Sequence, residues 1–130
     1  MSTDITLFAH LATVRPSGAP MSSVMWFDWD GARLRMTHTT TRQKFANLAE
    51  DPRLAVSIAD PDDGYRSLEV RGVLESIEHD DAEASFYQGL QHQYGQDYEV
   101  PDKDVRVVMT IRPTKFIATE DGAITVTSKA

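Results

Sequence analysis

Eight consecutive residues, Thr37-His38-Thr39-Thr40-Thr41-Arg42-Gln43-Lys44, hold four threonine hydroxyls, two cations and one imidazole. The segment links a strand-like run to a helix-like one. A helix start carries partial positive charge and N–H groups with no partner inside the helix. Arg presents a planar fork to phosphate oxygens, and Lys a point charge. These residue types at this place suit a bound anion, above all a phosphate. A capped helix with two solvated cations has the same composition, and spacing alone does not separate the two.

His38 could donate to a ligand oxygen or move a proton near neutral pH. A lone histidine at a strand end is otherwise a partly exposed bystander. His10, His79 and His92 are scattered, and no HExxH or paired-carboxylate spacing occurs, so no metal site is expected. GxSxG, GxGxxG and P-loop patterns are also missing, which argues against a serine hydrolase and a nucleotide-binding α/β fold. The run Ser22 to Trp29 carries Trp26, Phe27 and Trp29. A planar ligand could lie along it, but core and interface packing is the better account of Trp26 and Phe27.

The elements around these residues read mainly with period two, the period of strands. Leu7 to Val14 is a first strand, ended by the turn Arg15-Pro16-Ser17-Gly18. Met21 to Trp29 reads as a second strand, Asp30-Gly31 as a hairpin turn and Arg33 to Thr37 as the return. A short helix spans Arg42 to Glu50, with Phe45, Leu48 and Ala49 on one side, stopped by Asp51-Pro52. Leu54, Val56 and Ile58 mark another strand, and Asp60 to Gly64 a loop. Ser67 to Glu78 is a long strand with Leu68, Val70, Gly72 and Leu74 on one face. Asp80 to Tyr94 reads as a helix opened by two acids, with Phe86, Leu90 and Tyr94 recurring on one side and Gly95 closing it. Val105 to Ala118 is the last long strand, and Ile124 to Val126 adds a short edge. Sequential antiparallel strands with two helices point to a small barrel in one domain, residues 1–130.

Composition limits the function further. The 130 residues carry a net charge of −7 and no cysteine. The charge opposes nucleic-acid binding, and the lack of cysteine removes disulfides, thiol nucleophiles and thiolate-bound zinc. No run nears the roughly 20 apolar residues of a membrane span, and Met1 to Thr6 lacks a basic signal-peptide start. A cytoplasmic protein with no membrane partner is expected.

Several runs together resemble a known family: Leu11-Ala12-Thr13-Val14-Arg15-Pro16-Ser17-Gly18-Ala19-Pro20, Val24-Met25-Trp26-Phe27-Asp28-Trp29-Asp30-Gly31, Arg42-Gln43-Lys44-Phe45-Ala46-Asn47-Leu48, Asp51-Pro52-Arg53 and Glu69-Val70-Arg71-Gly72. They are similar to the pyridoxamine-phosphate-oxidase-like split-barrel proteins, from about Leu7 to Phe116, and look most like the branch that uses the deazaflavin coenzyme F-420 in place of flavin mononucleotide. The resemblance implies a mainly β fold with two to three helices, a six-stranded antiparallel split β-barrel forming a homodimer with cofactor sites at the interface. It implies that Arg42 and Lys44 hold the cofactor phosphate, with Thr37 and His38 beside it. The ring would lie against Ser23, Val24 and Met25, and Tyr65 and Arg66 would reach ring or substrate, from the second subunit. The implied activity is hydride transfer from reduced deazaflavin to an activated double bond of a small molecule, with water, His38 or Tyr65 as the proton source. An enzyme using flavin mononucleotide (FMN), or a non-catalytic binder of the cofactor or another planar ligand, are the alternatives. Val24 stands where this branch often has proline, and about six residues precede the first strand where the family often has a helix.

Overall fold

The structure, a computed structural model, describes residues 6–41 and 43–129, and of residues 43–45 the backbone alone. Its strands are β1 (Ala9–Val14), β2 (Pro20–Met25), β3 (Asp28–Trp29), β4 (Leu34–Thr39), β5 (Arg53–Asp60), β6 (Asp63–His79), β7 (Arg106–Glu120) and β8 (Ala123–Ser128). Helix α1 (Gln43–Glu50) follows β4, and α2 (Ser85–Gln93) follows β6. The strands join in the order β2-β1-β5-β6-β7-β4-β3, with β8 paired to β7. Every pairing is antiparallel.

β2 and β3 lie at opposite ends of this order, yet only Trp26 and Phe27 separate them in the chain. The sheet therefore closes on itself. Counting β2 and β3 as one bent strand and setting β8 aside leaves the six strands expected from the sequence. The run Met21 to Trp29 is thus not one straight strand. Its corner is where the chain leaves β1 for β4. Backbone groups at such a corner fall outside the ladder and need other partners. Side chains at the end of α2 supply them: the hydroxyl of Tyr94, which caps the helix, accepts the Phe27 N–H at 3.1 Å, and Gln93 Nε2 donates to the Phe27 carbonyl at 3.2 Å. Phe27 fills the core, while the Trp26 ring stacks on Tyr94 with centroids 5.1 Å apart. The packing expected of both aromatics is what the structure shows.

The core lies inside the barrel, built from Leu11, Met36, Val56, Val70, Met109 and Ile111 among others. β6 keeps Leu68, Val70, Gly72 and Leu74 on the core side as expected, with irregularities of pairing at Arg71/Gly72 and between Leu74 and Ser76. The first adds a residue to β7, Thr114; the second adds Glu75 to β6, which shifts its phase and brings Ile77 as well as Leu74 against the core. A Cβ at Gly72 would sit 2.6 Å from the Arg112 carbonyl oxygen, so only glycine fits this crossing.

Two boundaries and one helix face differ from expectation. Asp60 to Gly64 is no long loop: β5 and β6 pair out to Asp60 and Asp63, and Asp60 Oδ1 accepts the Asp62 N–H at 2.9 Å. The second helix starts at Ser85 rather than at Asp80. Asp80 and Asp81 stand before it and act on its start from outside, because their carboxylates bond its first N–H groups better than they could from within the helix. In α1, Leu48 is buried as expected but Ala49 is exposed, and Asn47 takes the inward place.

Candidate functional site

The two helix starts differ in a way that bears on chemistry. At α2, Asp81 Oδ1 accepts the Ser85 N–H at 2.9 Å, and the Asp80 carboxylate accepts the Phe86 and Tyr87 N–H groups at 3.2 and 3.1 Å. The Ser85 bond, foremost, holds the Asp81 carboxyl below the usual range. The protein's own anions thus serve the positive end of α2. The first turn of α1 holds no acidic residue, although acids outnumber bases 20 to 13 in the chain. Three threonines lead into it. Thr39 and Thr41 bond through their hydroxyls at 3.0 Å, and the Thr40 N–H donates to the Val105 carbonyl at 3.1 Å, which ties this approach to the residue just before β7. Such a donor set suits an anion supplied by a ligand. Arg42 lies outside the described residues, and of Lys44 the structure describes the backbone, in the first turn of α1.

Thr37 and His38 are neighbours on β4, so their side chains leave on opposite faces. His38 shares the core side with Leu34 and Met36, and is 5% exposed. It is a buried wall residue and not a partly exposed bystander. Thr37 shares its face with Arg35, whose guanidinium pairs with Asp28 at 2.6 Å and lies over the Phe86 ring of α2. The Thr37 hydroxyl is buried and has no hydrogen-bond partner among the described residues. An orphaned hydroxyl near the end of β4 and an acid-free helix start both fit a phosphate-bearing ligand.

Ser23, Val24 and Met25 form the end of β2, which pairs with β1 on one edge and ends the strand order on the other. Met25 is buried, Ser23 half-buried, and Val24 points outward, 59% exposed. This strand edge offers its backbone to a flat ligand. Tyr65 and Arg66 lie near the tip of the β5–β6 hairpin. Tyr65 is 81% exposed, and Arg66 approaches Asp60 at 3.4 Å and Glu120 at 3.5 Å. β1 and β5 stand between β2 and β6, a path of about 14 Å at normal strand spacing. Within one chain the tip and the β2 edge are therefore separate.

A cleft of about 780 Å³ opens at the barrel end near this tip. Phe27, Trp29, Leu34, Leu68 and Phe116 line it, and Arg66 stands at its rim. The described residues contain no cluster of three or more histidines and acids able to hold a metal, and no described helix is long and apolar enough to cross a membrane.

Two positioning side chains escaped the sequence reading. Asn47 is fully buried, and its Nδ2 donates to Thr13 Oγ1 at 3.1 Å and to Met21 Sδ at 3.5 Å. Tyr94, through its hydroxyl, also donates to the Leu7 carbonyl at 2.5 Å. Burial pushes the Tyr94 pKa up, opposed by the Phe27 N–H bond. The only signals in the sequence were a polar residue inside a helical stretch and an aromatic at the end of a helical stripe.

Comparison with known proteins follows the same lines. The family model described as pyridoxamine 5'-phosphate oxidase matches residues 6–120. A solved structure described as an F420 reductase is 46% identical, with 88% of this chain and 91% of that one covered and a TM-score of 0.84. General stress protein 26 from Bacillus anthracis shares the fold at 19% identity and a TM-score of 0.74, covering 98% of this chain and 92% of that one. A protein related to general stress protein 26 from Clostridium acetobutylicum does so at 14% identity and 0.72, covering 93% and 84%. Among curated proteins, none matches the chain.

Proposed function

Since the chain belongs to the pyridoxamine 5'-phosphate oxidase family, we propose that it is a reductase dependent on coenzyme F-420, acting on an activated double bond of a small organic molecule. The observation that carries the choice of cofactor is the 46% identity to an F420 reductase over 88% of the chain. The fold alone serves flavin and deazaflavin equally.

When bound, reduced deazaflavin supplies the hydride; the protein supplies binding and orientation. Arg42, Lys44 and the first-turn N–H groups of α1 bind the phosphate, and the Ser23–Met25 edge orients the ring. Phosphate binding far from the reacting carbon fixes the ring without touching it.

The working unit is a homodimer of single-domain chains. The support is the outer face of the sheet. Val24, His10, Ser57, Glu69, Ile117 and Val126 form one row across β2, β1, β5, β6, β7 and β8. The next row is Ser22, Ala12, Ala55, Arg71, Lys115 and Ser128. The rows mix short side chains with His10, Glu69, Arg71 and Lys115, and Val24, Ile124 and Val126 leave apolar surface on this face more than half exposed. A broad face with both apolar and oppositely charged groups can meet a copy of itself. Pairing there brings the hairpin tip of one copy, with Tyr65 and Arg66, to the β2 edge of the other.

Titration with deazaflavin and with FMN tests the reading. Binding of coenzyme F-420 at micromolar concentration, weakened by about 1.5–3 kcal/mol in Lys44→Ala, is expected for a charge-assisted phosphate contact. A yellow protein with a flavin spectrum and no response to deazaflavin refutes it in favour of FMN. Tight binding without turnover on a panel of enones makes the protein a carrier.

A further inference from the structure

The inward place of Asn47 on α1 has no explanation in hydrophobic packing. A carboxamide is costly to bury, and apolar side chains fill such positions unless the polar group has a task. Its amide nitrogen bonds Thr13 on β1 and meets Met21 on β2, and these two residues are a cross-strand pair. Thr13 is itself 2% exposed, so both ends of the bond are shielded from water. One side chain thereby clamps the helix to both strands of the β1–β2 ladder.

What lies on each side of the clamp gives it meaning. Gln43 and Lys44, four and three positions before Asn47, open α1. Ser23 and Met25, two and four positions after Met21, end β2 on the same face of that strand. We propose that Asn47 is a positioning residue. Its carboxamide sets the distance between the α1 start and the β2 edge, and so the distance between the phosphate and ring ends of the bound cofactor. The inference rests on the phosphate assignment made above. A ligand held at two points gains from both only when their separation is fixed in advance. Without the clamp the helix start can still meet a phosphate and the strand edge a ring, but no longer both at the spacing of one molecule.

The test compares two ligands in direct titration: coenzyme F-420, and its deazaflavin chromophore lacking the phosphate. Their affinity ratio reads the cooperation between the two ends. Thr13→Val keeps the shape of the side chain and removes the acceptor, leaving the Asn47 amide in place. It is expected to lower the ratio about tenfold, the scale of one buried hydrogen bond, with chromophore affinity within about twofold. Thr13→Ser keeps a hydroxyl and restores the ratio. Asn47→Ser serves as the second variant should Thr13→Val fail to fold, with the same loss expected. A role in stability alone lowers the melting temperature and leaves the ratio intact, and that result overturns the proposal. Lys44→Ala separates the two levels of the argument. If Lys44→Ala lowers the ratio and Thr13→Val does not, positioning by Asn47 is wrong and the phosphate assignment stands. If Lys44→Ala leaves the ratio unchanged, both fall.

Discussion

Replacing Tyr94 by Phe removes one oxygen atom and tests how the barrel corner is held. The hydroxyl donates to the Leu7 carbonyl at 2.5 Å and accepts the Phe27 N–H at 3.1 Å. The ring itself stays, stacked on Trp26 at 5.1 Å and 14°. The variant therefore loses two hydrogen bonds worth about 1 kcal/mol each, and strands a part-buried amide at a further cost of up to about 1 kcal/mol. The total is about 2–3 kcal/mol, or roughly 7–11 °C in melting temperature for a chain of this length. Thermal and urea unfolding by circular dichroism measure it, with an unchanged urea slope marking the same native state. A second reading comes from alkaline pH. Burial raises the Tyr94 pKa in the folded protein above its ordinary value of 10.0. The folded state then holds this proton more tightly than the unfolded chain does. Its contribution is full below about pH 10 and is lost as pH rises through the raised value. Tyr94→Phe abolishes that part of the alkaline loss. A melting temperature within about 2 °C of the parent, with an unchanged alkaline limb, would refute the view that α2 holds the corner.

Three further outcomes follow from the same coordinates. Gly72→Ala drives a methyl to 2.6 Å from a backbone oxygen and is expected to destabilise by about 2–3 kcal/mol in urea unfolding; a neutral result would mean the β6–β7 crossing is soft. On the acid side, the Asp81 and Asp30 carboxyls are lowered mainly by backbone N–H bonds, and Asp51 is lowered to about 2 by its bond to Arg53. Stability from these groups is complete above their ordinary value of 3.8 and drains away as pH falls through the lowered values; a melting-temperature series toward pH 2 should show the drop, smaller in Asp81→Asn. Light scattering should report twice the chain mass of 14.5 kDa, and Val126→Lys on the outer face should shift the particle toward a single chain; a monomeric parent removes the shared-site reading.

Much of the fold was legible because a strand with one buried face must alternate, and β1, β5 and the Val70–Gly72 stretch of β6 do. The acids before α2 were legible for electrostatic reasons, although they sit outside the helix. What the sequence hid was set by closure. The corner at Trp26 and Phe27 exists because the chain must change partner there, and no local pattern encodes that event. Asn47 was hidden for a related reason: its partner Thr13 is 34 positions away, and a single Asn in a polar helix resembles a solvated one. Tyr94 reaches partners 67 and 87 positions distant. The burial of His38 is not legible locally because a strand end resembles an exposed end, whereas β7 pairs with β4 past His38, out to Thr39. The threonine-rich approach to α1 was visible by composition, but the contrast with the carboxylate-served start of α2 needed coordinates.

The two hidden side chains have a common consequence for β2. Asn47 bonds Met21 near the start of this strand, and Tyr94 bonds Phe27 just past its end. Ser23, Val24 and Met25 are the stretch between. Each pin comes from a helix, one from either side of the long β5–β6 hairpin in the chain. Each works away from the outward side, where Val24 remains exposed. A strand at the end of the pairing order has one ladder, to β1, to hold it straight, and ladders of this kind fray at their ends. Fixing both ends by side-chain bonds restores the rigidity that a second neighbouring strand would give, while keeping that edge available. A flat ring gains most from an edge that does not have to be ordered on binding. A proline at the place of Val24 would stiffen the same stretch from within. With valine there, the stiffness of the proposed ring platform depends on its two pins. Loss of the Asn47 pin should therefore show in how the ring end is placed relative to the phosphate end, with affinity for the ring alone nearly unchanged.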